Sequence, residues 1–525
     1  MFRPGDNIPE CDFYDQRQMK ILIPVSPAAM ENWKEFARRW MNHVNPYTGI
    51  AWKDDPALYA VNLVNEEVLT SEWSRSPSAV KLYQERFEKW KREHHLPNAK
   101  MANNDKHFLK FLYELQAKCL DEQLRFFREE LKMNALVTSL NYLTDLPLAL
   151  LRDKFDLVDN HIYFNHPGFL EKQWSAPYKF HQDSAISRFA AAPRILMGSR
   201  IVGKPQILTE FSYCNPNRFR AEGGPLMGAY AALQDWDALH HFTWSHHYSS
   251  VENLRPTHTF DIANDPLAQL SDRITVAMFR RGDVKRAENA FAWNVTDATF
   301  DNEDPIDFPL RFLQLGLVSR IGSAVNGRAP AGTVLLDASS ATDPARLADS
   351  KTAALWQRVI NEKIAVSDTG EIRLDVRKNT FAVATPLTES VTLPEGELAA
   401  GSLAVRGATG FQTVAAISLD GRAVAESGSV LVIHLTNLLN TDIHFGNQAM
   451  TVVKDFGKLP ALIQRNRATV EITTDRPFRV VALSADGDAK GEVPGTFAGG
   501  KFRFRADPGC FPGGVMAYHL TRERR

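Results

Sequence analysis

Strand-length apolar runs alternate with helical runs along residues 1–290, and this alternation limits the fold more than any other feature. The runs are 58–64, 135–140, 157–163, 204–209 and 239–244. Helical patterning covers 27–43 and 106–131. In the second stretch Phe108, Phe111, Leu112, Leu115 and Cys119 recur three and four residues apart, the period of one buried helix face. Strands separated by helices pair in parallel, which predicts an α/β fold. Each run ends where polar or aromatic side chains begin, the pattern of the catalytic face of a barrel. Residues 21–25 read as a further short strand, although Pro24 argues against a central position. Residues 266–281 read as a closing helix stopped by Gly282.

The pattern changes near Glu371. From there short stretches alternate apolar and polar with period two, and turns such as Asp420-Gly421 and Asp486-Gly487 separate them. Evenly spaced strands without intervening helices predict a β-sandwich or small barrel. The expected organisation is an α/β catalytic region over 1–290, a mixed connecting region over 291–365, and a β-sandwich-like ancillary domain over 366–525.

Charge excludes some partners. The formal net charge is -1 and no block of like charges stands out, so neither a nucleic acid nor a membrane surface is expected as a partner. No apolar run is long enough for a transmembrane helix. The first residues have neither a basic n-region nor an apolar h-region, so no signal peptide is expected in this stretch. Cys11, Cys119, Cys214 and Cys510 lie far apart with no CxxC pair, which favours buried free thiols over a disulfide framework or zinc site.

The strand ends carry the chemistry. Glycoside hydrolysis with retention needs two carboxyl groups about 5–5.5 Å apart, one to protonate the leaving oxygen and one to attack the anomeric carbon. Glu66, preceded by Asn65, closes the first run, and Glu210 closes the fourth. His161 and Tyr163 close the third, and Trp244 closes the last. An Asn-Glu pair, then His-x-Tyr, then Glu, then Trp at successive strand ends resembles the clan A glycoside hydrolases, most of all the cellulase-like group of family 5. The resemblance covers residues 25–290.

That resemblance implies a (β/α)8 barrel with Asn65-Glu66 ending strand 4. Glu66 would be the acid/base and Glu210 the nucleophile. Asn65 would bind the sugar 2-hydroxyl, and Tyr163 would hydrogen-bond Glu210 and help keep it ionised. His161 would lie beside Glu66, and Trp244 would floor the sugar at the cleavage point. An acid working near neutral pH needs a raised pKa, which repulsion by Glu210 would supply to Glu66. His246, His247, Asn141, Trp73, Asn165 and Arg220 are further candidates for sugar contacts. No cofactor is expected, because two carboxylates suffice, and the expected partner is a carbohydrate.

Each residue has a plainer reading. Glu67 competes with Glu66, His161 suits a core histidine, and Trp244 suits simple packing. His240 with His246, or His241 with His247, could share a strand face. At the usual rise such pairs lie about 20 Å apart, too far to share one zinc ion, so no metal site is expected.

The barrel is short of strands. About 31 residues make one βα unit, yet only about 25 residues precede the helix at 27–43. Strands 1–3 are therefore expected to be lacking from this stretch, along with the Arg and His that the family carries on strands 2 and 3. The preferred explanation is a start placed too late, with the missing strands and any export signal upstream. The alternative is a half-barrel, a degenerate non-catalytic carbohydrate-binding protein. The β-linked substrate, whether glucan, mannan or galactan, is left open.

Overall fold

A computed structural model describes residues 3–67, 72–301 and 307–522. It is a mixed helix and strand fold with large multi-stranded sheets in its C-terminal part.

The first part is built as its periodicity predicts. Asp105 caps the helix Lys106–Arg125 by accepting from the N–H groups of His107 and Phe108, and its predicted apolar face is buried. Ser26 caps Pro27–Met41 in the same way, with proline in the first turn. Residues 21–25 are not a strand. Asp15 caps a helix, Gln16–Leu22, and Gln18, Ile21 and Leu22 recur on its buried side at helical spacing.

Five short strands follow the expected runs: β1 (Ala60–Asn62), β2 (Leu136–Thr138), β3 (Val158–Phe164), β6 (Gln206–Tyr213) and β7 (Ala238–His241). Between β3 and β6 lies a hairpin of β4 (Gly168–Phe169) and β5 (Tyr178–Lys179). β1 pairs with β2, and β3, β6 and β7 pair in that order, all in parallel. Helices Lys106–Arg125, Leu148–Arg152, Ala191–Met197 and Gly223–Leu233 make the connections. No ladder closes these strands into a ring among the described residues. The Tyr59 hydroxyl, just before β1, meets His240 Nε2 of β7 at 3.4 Å.

The alternation continues past residue 290. β8 (Ala290–Val295), β9 (Arg320–Val325) and β10 (Thr333–Leu336) form a second parallel sheet, with β8 in the centre. A parallel bridge from Ile201 to Ser323 ties its edge to the first part. The expected closing helix is Pro266–Thr275 followed by a wider turn over Val276–Arg280, with Gly282 in the left-handed conformation beyond. It packs closely on Gly223–Leu233. A Cβ at Gly224 would stand 2.2 Å from the Ser271 carbonyl oxygen, so only glycine fits there.

From Ile364 onward the strands are antiparallel. One sheet has nine strands and another has five. In the strand Gln412–Ser418 every residue is buried, and alternate residues serve different cores. Val414 and Ala416 join the core shared with the five-stranded sheet, and Ala415 and Ile417 join the core of the α/β part. Cys119 and Cys214 are buried, but Cys11 is only half-buried and Cys510, in an open turn, is exposed, contrary to the expectation of four buried thiols.

Candidate active site

β3 and β6 bring the central groups together. Asp159, His161 and Tyr163 alternate along one face of β3. The register of β6 slips by one residue beside them: Asn160 pairs with Leu208, but His161 pairs with Glu210. The extra residue, Thr209, lets consecutive side chains, Thr209 and Glu210, both face the site.

Glu66 arrives from the turn after β1. Its backbone is left-handed, with φ of 52°, an uncommon state for a non-glycine residue. Its N–H donates to Asn141 Oδ1 at 2.8 Å, which holds that turn. His161 Nδ1 stands 3.0 Å from Glu66 Oε1 and 3.5 Å from Glu210 Oε2. The Tyr163 hydroxyl donates to Glu210 Oε2. One oxygen of each glutamate and a ring nitrogen of His161 all lie within 4.8 Å of one another.

A buried polar layer supports these groups. Asn141, 1% exposed, donates to Asn65 Oδ1 and Asp159 Oδ2 and meets His161 Nε2 at 2.9 Å. Asp159 accepts from the Thr209 hydroxyl at 2.6 Å and its N–H at 2.9 Å, and Thr209 Oγ1 meets His161 Nε2 at 3.0 Å. The imidazole is thus fixed on both nitrogens.

The carboxyl groups are tuned in the opposite sense to the sequence expectation. Burial pushes Glu66 up, but the hydrogen bond and charge of His161, with Lys20 beyond, outweigh it and leave Glu66 below the usual range. Burial pushes Glu210 up, and His161 and Tyr163 only partly offset it against repulsion from Glu66 and Asp159. His161 stands nearer Glu66, and this is the difference that repulsion alone did not anticipate.

Asn65, Glu66, Tyr163 and Glu210 line one cavity of about 1060 Å³, together with His246 and His247. His246 is held by Asp261 through its Nδ1. Other candidates lie elsewhere. Glu67 turns into the core, where Ser139 and Gln116 hydrogen-bond it at 2.6 and 2.9 Å. Trp244 is 55% exposed and outside the cavity wall. β7 ends at His241, and Phe242 takes the place on the wall. Asn141 lies beneath the wall and holds Glu66 and His161 from below. Trp73 packs against Phe108 in the helical core. Asn165 accepts from the His181 N–H, and Arg220 forms a buried ion pair with Asp265.

The histidines of the 240–247 stretch turn to different partners. His241 pairs with Asp272, His246 with Asp261, and His240 meets Tyr59. The three-donor cluster among the described residues is Glu66, His161 and Glu210. Sequence reasoning missed Asp159, Thr209, His166, Trp174, Phe242 and His258, and it missed the wall that Lys454, Asp455 and Phe456 supply from the C-terminal part.

No family model and no curated protein matches the chain. Among solved structures, a rhamnosidase from Novosphingobium sp. PP1Y aligns at 10% identity and a TM-score of 0.23, covering 79% of this chain and 39% of that one. This chain thus spans well under half the length of that protein. A score of that size decides neither fold nor chemistry.

Proposed function

We propose that the protein is a retaining glycoside hydrolase acting on a β-linked poly- or oligosaccharide. The observation that carries this reading is the approach of one carboxylate oxygen of Glu66 to one of Glu210 within 4.8 Å in one large cavity. So close an approach favours direct attack, for which the two carboxyl groups stand about 5–5.5 Å apart, over the wider gap of about 6.5–9.5 Å that an inverting enzyme uses.

Glu210 is the nucleophile in this reading, since Tyr163 donates to its Oε2 and favours its charged form. Glu66 is the acid/base. Substrate exchanges the resting tuning of the pair. A sugar over Glu66 removes water from the more exposed of the two carboxyls and raises its pKa. Positive charge developing at the anomeric carbon stabilises Glu210 as a carboxylate. His161, fixed between them, positions both. Asn65, at the cavity wall beside Glu66, binds the 2-hydroxyl.

The five parallel strands β1, β2, β3, β6 and β7 are read as strands 4–8 of a (β/α)8 barrel. Residues 1–290 then form the catalytic region and 366–525 the ancillary β domain. Among the described residues no strand pairs with the outer edges of β1 and β7, which favours a second reading, a non-catalytic carbohydrate-binding protein.

Azide rescue with an aryl glycoside separates the possibilities. Glu66→Ala should yield a glycosyl azide of retained configuration, and Glu210→Ala one of inverted configuration. Absence of turnover in the wild-type chain on every β-linked glycan tried, with binding retained, would leave the binding-protein reading.

A further inference from the structure

The cavity extends from the glutamate pair to a wall made by two distant parts of the chain. Strand Val452–Asp455 pairs with β5, Val452 opposite Lys179 and Val453 opposite Tyr178. With His444–Phe445 and β4 this makes a four-stranded antiparallel sheet. The Phe180 N–H donates to the Thr451 carbonyl at 2.8 Å and continues the pairing.

Trp174 stands in the loop between β4 and β5. It lines the cavity and is 56% exposed, although an indole is among the side chains that gain most from burial. Three rings brace it: Phe169 at 4.6 Å and 62°, His166 at 5.7 Å and 75°, and Phe260 at 6.1 Å and 60°. All three are steeply inclined, so none stacks flat on the indole. The Trp174 backbone is left-handed, with φ of 60°, a strained conformation for a bulky residue. The fold thus holds a strained, exposed aromatic plane in the cavity wall.

The plane is linked to the reacting groups. His166 lies 5.4 Å from the Tyr163 ring, and Tyr163 donates to Glu210. The same cavity is lined by Arg255 and Lys454, whose side chains have no partner among the described residues, and by His258, whose ring lies 4.2 Å from Phe456 at a tilt of 36°. A flat apolar face and polar donors in one cavity match a pyranose ring, which has a C–H face and a rim of hydroxyls.

We propose that Trp174 is the stacking platform of a pyranose subsite next to the cleavage point, and that the arm over residues 444–457 completes this subsite. The proposal rests on the carbohydrate reading above and adds a residue that sets substrate affinity.

The test uses the full chain carrying Glu210→Gln, so that binding is read without turnover. Titration calorimetry with cellotetraose, mannotetraose and β-1,4-galactotetraose identifies which binds. Adding Trp174→Ala or Trp174→Leu should weaken that binding about tenfold or more, while Trp174→Phe stays within about threefold. In the otherwise wild-type chain, Trp174→Ala should raise KM and leave kcat within about twofold. Unchanged affinity in Trp174→Ala, with wild-type turnover intact, overturns the subsite and leaves the hydrolase reading standing. Binding of none of the three sugars, with no turnover of them, overturns both.

Discussion

The main-chain N–H of Glu66 is held by the side-chain oxygen of Asn141, 2.8 Å away, from a different strand end. Asn141 also supports His161, so one buried amide sets the positions of two groups at the reactive pair.

Asn141→Ala should therefore damage chemistry more than binding. It frees the left-handed turn at Glu66 and leaves buried polar atoms unpaired, at about 1–3 kcal/mol of stability. The expected result is a fall in kcat of about tenfold or more with KM little changed. Urea unfolding and initial rates measured on the same preparation would check it. A change in KM alone would contradict the positioning role.

Tyr163→Phe removes a hydrogen bond that lowers the pKa of Glu210, so that pKa should rise further from its already raised position. A nucleophile that must be ionised then loses activity at a higher pH. The acidic limb of the kcat/KM profile should move to higher pH, while the basic limb stays. An unmoved acidic limb would separate Tyr163 from Glu210.

Glu67 is buried, and burial raises its pKa to about 7. Its folded pKa exceeds the unfolded value, so the folded state holds the extra proton between them. The contribution of Glu67 to stability is then fullest below pH about 4.5 and is lost as the pH rises through about 7, by on the order of 3 kcal/mol. Glu67→Gln should flatten this dependence. Chemical denaturation at pH 5 and pH 8 would show it, and a variant with the same slope as wild type would refute the assignment.

Phe242 and Trp244 make opposite predictions despite their proximity. Phe242 lines the cavity and Trp244 does not. Phe242→Ala should lower kcat/KM about tenfold or more, and Trp244→Ala less than about threefold. The reverse order in steady-state rates would restore Trp244 as the sugar floor.

The meeting of Glu66, His161, Tyr163 and Glu210 was legible because each closes an apolar run, and strand ends can be read from period and burial. The layer below them was not. Asp159 and Thr209 look like ordinary polar residues inside strands, and the register slip at Thr209 has no marker in a single sequence. Trp244 was misplaced because the apolar run reads through to it, whereas β7 stops at His241. The tuning of the glutamates was inverted because it depends on His161 and Lys20, distances that composition does not contain. The arm at 444–457 reaches the cavity by pairing with β5, and long-range pairing of two short strands leaves no local signal.

The strand Gln412–Ser418 has a consequence for how the molecule comes apart. Val414 and Ala416 point into one core while Ala415 and Ile417 point into the other. Neither core can lose that strand without uncovering the other. Melting of the α/β core that receives Ala415 and Ile417 is therefore coupled to melting of the nine-stranded sheet, and a scanning calorimeter should record the two in one endotherm.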